Sequence, residues 1–156
     1  STNAIDNQKI WAGLKLTNDQ LVATDADQAF FKFQTDATNS EAFTDFTLLH
    51  FVHSIAGTDY ISALPITVAA NTTYHLKVVI DSDRKATIFV NGQQYNVTGT
   101  AGSTGGTAVT AVAEGATVTK TAALTDNVDF IPYIGIEAGA EALDVHYQAI
   151  NRIIFE

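Results

Sequence analysis

Two short acidic turns hold the residue types best suited to binding chemistry. Asp25 and Asp27 lie in ATDADQ, and Asp126 and Asp129 lie in TDNVDF. Carboxylates so spaced on a turn can share one calcium ion with loop carbonyls, because calcium gathers about six to eight oxygen ligands. Two carboxylates alone are too few. Each pair therefore reads first as an Asx-turn closing a strand, and the metal reading gains only if both loops meet at one rim. The histidines His50, His53, His75 and His146 fall on strand-like segments, none beside a cysteine and none spaced as His-x-x-x-His, which argues against zinc. There is no Gly-x-Ser-x-Gly elbow, and Gly102-Ser103-Thr104-Gly105-Gly106 lacks the lysine and the helix of a phosphate loop. The expectation is a protein that is not an enzyme and needs no cofactor.

Apolar side chains offer the other route to binding. In Ile10 to Leu16 the residues Ile10, Ala12, Leu14 and Leu16 alternate with Trp11, Gly13 and Lys15, so Trp11 falls on the face opposite the aliphatics. A flat aromatic exposed on a sheet suits sugar stacking or a protein interface; the competing reading turns Trp11 into the core. Phe46 to His53 is apolar on both faces, Phe46, Leu48 and Val52 against Leu49 and Phe51. The outer face of a free sandwich is polar, so this strand predicts a cover, either a loop of the same chain or another subunit. Trp11, Phe46, Leu48 and Tyr60 are the interface or ligand candidates on the strands.

The elements that position these residues read as strands. Ala29 to Gln34 places Phe31 and Phe33 on one face and Phe30 and Lys32 on the other, Tyr60 to Leu64 is a strand closed by Pro65, and Pro132 to Ala138 and Ala142 to Phe155 finish the chain. The clearest signal is Thr72 to Val97. Tyr74, Leu76, Val78 and Ile80 alternate, the polar corner Asp81 to Lys85 follows, and Ala86, Ile88 and Val90 alternate again before Asn91-Gly92. Asn-Gly supplies the two positive φ angles of a type I′ hairpin turn, with Gln93 to Val97 returning. Helical spacing is nearly absent, Ala111 to Ala123 being the one ambiguous stretch.

Thr98 to Thr125 is built almost wholly from Thr, Ala, Gly and Val. It reads as a long surface hairpin or loop whose edge carries Val109, Ala111, Ala113 and Val118, or as an arm that orders on a neighbouring subunit by adding to a sheet edge. Val109 and Val118 join the interface candidates on that ground.

Composition narrows the partners. The 156 residues fit one domain, a single β-sandwich with an extended loop or arm at about 98–125. A net charge of −9, with no basic cluster longer than Arg84-Lys85, argues against nucleic acid. With no cysteine there is neither disulfide nor thiolate metal site. No apolar run is long enough for a membrane helix, and STNAIDNQKI lacks the basic-then-apolar order of a secretory signal, so the expected form is soluble and not membrane-bound. Asn71-Thr72-Thr73 and Asn96-Val97-Thr98 match the N-glycosylation pattern by coincidence on this reading.

About eight to ten strands with regular turns and few prolines point to an all-β, two-sheet antiparallel β-sandwich, best drawn as a jelly roll. The segment YHLKVVID, followed by Arg84 to Phe89 and by Val90-Asn91-Gly92, resembles the concanavalin A-like, laminin-G-like jelly-roll superfamily. IWAGLKLTNDQLVATDADQAFFKF and IGIEAGAEALDVHYQAINRIIFE are similar to versions of this domain in bacteriophage structural proteins. That resemblance implies a non-enzymatic virion protein, a capsid decoration or surface subunit, with other virion proteins and copies of itself as partners. Glycosidases of the superfamily carry Glu-x-Asp-x-x-Glu to bring two carboxyls together. Here Glu137 and Glu141 flank Ala138-Gly139-Ala140 and read as a turn. The lectins' metal pattern does not map onto the chain either. The alternative function is a carbohydrate-binding module in which Trp11, Tyr60 and rim acids recognise a glycan.

Overall fold

The computed structural model describes residues 8–35, 43, 46–102, 105–138, 143–146 and 148–151. Among these described residues nine strands follow in order: β1 Gln8–Lys15, β2 Gln28–Gln34, β3 Leu48–Ile55, β4 Thr58–Thr67, β5 Leu76–Ile80, β6 Ala86–Val90, β7 Gln93–Tyr95, β8 Thr107–Ala108 and β9 Ile131–Ala138. Six form one sheet in the order β8-β4-β3-β2-β1-β9, and three form a second, β5-β6-β7. Among these nine strands the pairings are antiparallel except β4 with β8. The described residues contain no α-helix, only a 3-10 turn at Val22–Thr24.

Strict alternation sorts each strand's side chains onto two faces. Ile10, Leu14, Phe31, Phe33, Leu49, Phe51 and Leu64 of the large sheet meet Leu76, Val78, Ile80, Ala86, Ile88, Val90 and Tyr95 of the small one. Phe31 and Phe51 touch edge to face with centroids 5.4 Å apart. Each fully buried side chain of this size contributes about 1.5–3 kcal/mol, so this layer supplies most of the fold's driving force.

The central hairpins follow the expected pattern. Leu76 faces Val90, Val78 faces Ile88 and Ile80 faces Ala86. Asn91 and Gly92 adopt φ of 51° and 82°, as a type I′ turn requires. In the preceding corner the Asp81 carboxylate accepts the backbone N–H of Asp83 and Lys85 at 3.0 and 2.9 Å.

Two expectations are corrected. β4 runs past Pro65 to Thr67, because its register against β3 shifts between Leu48 and His50 and Pro65 sits in that irregularity, where no ladder N–H is required. The strand expected over 142–155 is absent from the described part of that segment, which contributes a bridge residue at Leu143 and leaves Val145 and Ile150 exposed.

The Thr/Ala/Gly/Val-rich segment lies as a strap on its own chain. Ala63 O accepts the N–H of Val109, Gln94 O that of Val112, Ala86 O that of Thr121, and Arg84 O that of Leu124. The Thr121 hydroxyl also accepts the N–H of Ala86 at 2.8 Å. Leu124 then enters the core, 1% exposed. The strap thus adds backbone hydrogen bonds to β4 of the large sheet and to β6 and β7 of the small one.

Candidate functional site

The outer face of the large sheet carries a second, smaller cluster: Trp11, Val22, Phe30, Phe43 and Val52, with Phe46 and Ile61 against it. The cover expected over the two-sided strand is supplied by the same chain, through the loop between β1 and β2 and through Phe43. Register explains the composition. Trp11 stands opposite Lys32, Gly13 opposite Phe30, and Lys9 opposite Gln34, so aromatic and lysine side chains of β1 and β2 share this face. Glycine makes the layer thin. A Cβ on Gly135 of β9 would lie 2.1 Å from the Trp11 ring, so the indole rests directly on β9.

Three lysines lie in this layer, each closed off by the 16–27 loop or by β9. Lys9 pairs with Glu137 at 2.7 Å. Lys15 pairs with Asp25 at 3.2 Å, donates to Gln28 Oε1 at 2.5 Å, and stands 4.2 Å from the centroid of Phe30. Lys32 is 1% exposed and donates to the Gln20 carbonyl at 2.7 Å and to Gln20 Oε1 at 3.1 Å. Burial lowers the basicity of Lys32 to a pKa of about 7, helped by the like charges of Lys15 and Lys9 and opposed by Asp19 and Glu137. Burial also lowers Lys15, against the opposing charge and hydrogen bond of Asp25.

Above Trp11 an open depression of about 530 Å³ is lined by Trp11, Thr17, Asn18, Asp19, Gln20, Thr24 and Glu137. Trp11 lies on the face opposite Ile10 and Leu14, and of the two readings offered for it, exposed platform or buried ring, it is the buried one. It is 7% exposed, and its Nε1 donates to Asn18 Oδ1 at 3.1 Å. What the depression offers a ligand is a rim of amide, hydroxyl and carboxylate groups with an indole edge at its floor.

Three of the four aspartates in the acidic turns, Asp25, Asp27 and Asp126, form cross-links. Asp25 accepts Thr17 Oγ1 at 2.8 Å and the Thr17 N–H at 3.2 Å besides pairing with Lys15. Asp27 accepts the Ala56 N–H at 3.0 Å and the Thr125 hydroxyl, so the loop at 25–27 does reach the one that begins at Thr125. Asp126 instead pairs with Arg84 at 3.5 Å, and Asp129 is exposed. No group of three or more His, Asp or Glu is placed to hold a metal among the described residues.

The other candidates are dispersed. Phe46 is half-buried against the outer cluster, Leu48 is half-buried opposite Thr67, and Val109 and Val118 are half-buried in the strap. Tyr60 stacks on His53 with centroids 4.6 Å apart and planes 6° from parallel. His53 is 1% exposed, its Nδ1 has no hydrogen-bond partner among the described residues, and burial lowers its pKa to about 4. The residues that sequence reasoning missed are Lys9, Asn18, Gln20 and Gln28, and the buried roles of Lys15 and Lys32. A signal existed, since neighbouring strands each put an aromatic and a lysine on one face. Among the described residues no helix is long and apolar enough to cross a membrane. Compared with family models, curated proteins and solved structures, the chain matches none of them.

Proposed function

We propose that the chain is a non-enzymatic structural protein, a virion surface or capsid decoration subunit that works through protein contacts and has the jelly-roll topology of the concanavalin A-like superfamily. The observation that carries this reading is a contrast in apolar surface. Both faces of the large sheet carry apolar clusters packed by the chain's own residues, yet among the described residues Val79 and Ile131 are partly exposed, and after β9 Val145 is 52% and Ile150 69% exposed. Large apolar groups left outside two closed cores favour a protein partner. Resemblance of the opening and closing segments to phage structural proteins supplies the kind of assembly.

The test is co-sedimentation of the purified protein with virions of its source, with copy number read by quantitative mass spectrometry. Stoichiometric binding is expected, weakened at least tenfold by the pair Val145→Asp and Ile150→Asp while the thermal melt is unchanged. A monomer that ignores the particles overturns the reading.

A second reading rests on the depression above Trp11, whose amide and carboxylate rim beside an indole suits a sugar. Saturable binding on a glycan array, lost in Asn18→Ala and Gln20→Ala, would favour a carbohydrate-binding module instead.

A further inference from the structure

Beneath the 16–27 loop three reactive groups meet with water excluded. Lys15 ends β1, Gln28 begins β2, and Asp25 stands in the loop between them; the three side chains are almost wholly buried. Lys15 Nζ is 2.5 Å from Gln28 Oε1 and 3.2 Å from Asp25 Oδ2, with the Phe30 ring beside it. The far end of the Gln28 amide is held as well. Nε2 donates to the Val22 carbonyl at 2.6 Å and to Ser54 Oγ at 2.8 Å, and since a carbonyl only accepts, the amide orientation follows. Ser54 Oγ passes its own proton toward Asp59 at 2.6 Å. One C=O bond beyond Oε1, the amide carbon is at most about 3.7 Å from the amine nitrogen, close to attack distance.

We propose that Lys15 and Gln28 join in an intramolecular isopeptide bond, with Asp25 carrying the proton between nucleophile and leaving group. In the dry pocket the Lys15 ammonium gives a proton to the Asp25 carboxylate, leaving an amine and a carboxylic acid. The amine lone pair attacks Gln28 Cδ, forming the N–C bond while the C=O π electrons move to oxygen. Asp25 then relays a proton from the attacking nitrogen to Nε2, the C–Nε2 bond breaks, and the carbonyl re-forms. Ammonia departs and takes up the remaining proton. Lysine ammonium plus carboxamide therefore become isopeptide plus ammonium ion, with no oxidant or cofactor consumed. Burial favours the reactive neutral amine of Lys15, in keeping with its lowered basicity. Such a bond would tie the end of β1 to the start of β2 and fasten the loop that covers Trp11.

The experiment is mass spectrometry of the purified full-length chain under denaturing conditions. A mass about 17 Da below that of the sequence is expected, the loss of one ammonia. A succinimide at Asn91-Gly92 produces the same loss, so the bond is located by trypsin. Cleavage after Lys15 should fail, and the peptide from Ile10 to Lys32 should carry the deficit, with no backbone fragments separating positions 15 and 28. Lys15→Arg, which keeps the charge, should restore the full mass. A wild-type chain at full mass and cleaved after Lys15 overturns the proposal by itself, whatever the variants do. A deficit of about 18 Da joining Lys15 to Asp25 overturns the acceptor, and a bond that persists in Asp25→Asn overturns the proton carrier.

Discussion

Replacing Lys32 by methionine should change not only the stability of the protein but its dependence on pH. Lys32 is 1% exposed, with its amine bonded to Gln20, and its pKa falls from 10.5 to about 7. Between those values the unfolded chain holds a proton that the folded chain has released. Stability therefore rises with pH across this window and is lowest below it, where the folded protein must bury the ammonium. The full span corresponds to roughly 5 kcal/mol, at most about 1.4 kcal/mol for each pH unit. Methionine removes this titration. The other groups facing position 32 from the surrounding elements, Lys9, Lys15, Asp19 and Glu137, are the same in both proteins. Against the gain stands the Gln20 carbonyl, which loses its donor at a cost of about 1–3 kcal/mol. The variant should be the more stable protein at pH 6.5 by roughly 2–4 kcal/mol, and the advantage should shrink as pH rises to 9. Urea unfolding at half-unit steps from pH 6.5 to 9, with m-values checked for constancy, reads both quantities. Parallel stability curves for the two proteins would refute the burial of a titrating ammonium at position 32.

Three further perturbations probe the layers separately. His53, its pKa lowered from 6.5 to about 4 by burial, takes up no proton until well after the unfolded chain has done so, so stability should fall as pH drops from 6.5 to 4, by roughly 3 kcal/mol in all; His53→Phe should flatten that limb in acid unfolding curves. Gly135→Ala places a methyl 2.1 Å from the Trp11 ring and should cost about 1–3 kcal/mol, with a red-shifted tryptophan emission as the indole lifts from β9. Thr121→Val keeps the shape but removes the acceptor for the Ala86 N–H, a loss of about 1–3 kcal/mol by thermal unfolding, with faster amide exchange at Ala86.

The parts of the fold that sequence reasoning anticipates are those held by local rules. The β5-β6-β7 hairpins need only period-two alternation and an Asn-Gly pair, and their register follows from those two features alone. Pro65 misleads for a local reason too: a proline normally ends a ladder, and only the long-range register shift between β3 and β4 accommodates it. The strap from Thr107 to Leu124 has no period, because it is held by backbone hydrogen bonds to Ala63, Arg84, Ala86 and Gln94 that any small residue could make.

The outer face shows where alternation stops being informative. It places Trp11, Gly13 and Lys15 on one side of β1, and Phe30 and Lys32 on one side of β2, and the structure agrees. Whether that side is wet or dry is decided by the loop between them, and its covering residues Asn18, Gln20, Val22 and Asp25 carry no apolar repeat. A lysine two residues from an aromatic on a strand reads as a solvated edge, whereas under a loop it becomes a desolvated charge that must find Asp25, Gln28 or the Gln20 carbonyl. The same cover turns Trp11 from an exposed platform into the floor of a depression. The chemistry of this face thus depends on closure of the 16–27 loop, and the contacts that hold the loop shut, Lys15 with Asp25 and Gln28, and Lys32 with Gln20, are also those whose protonation and reactivity are most altered by it.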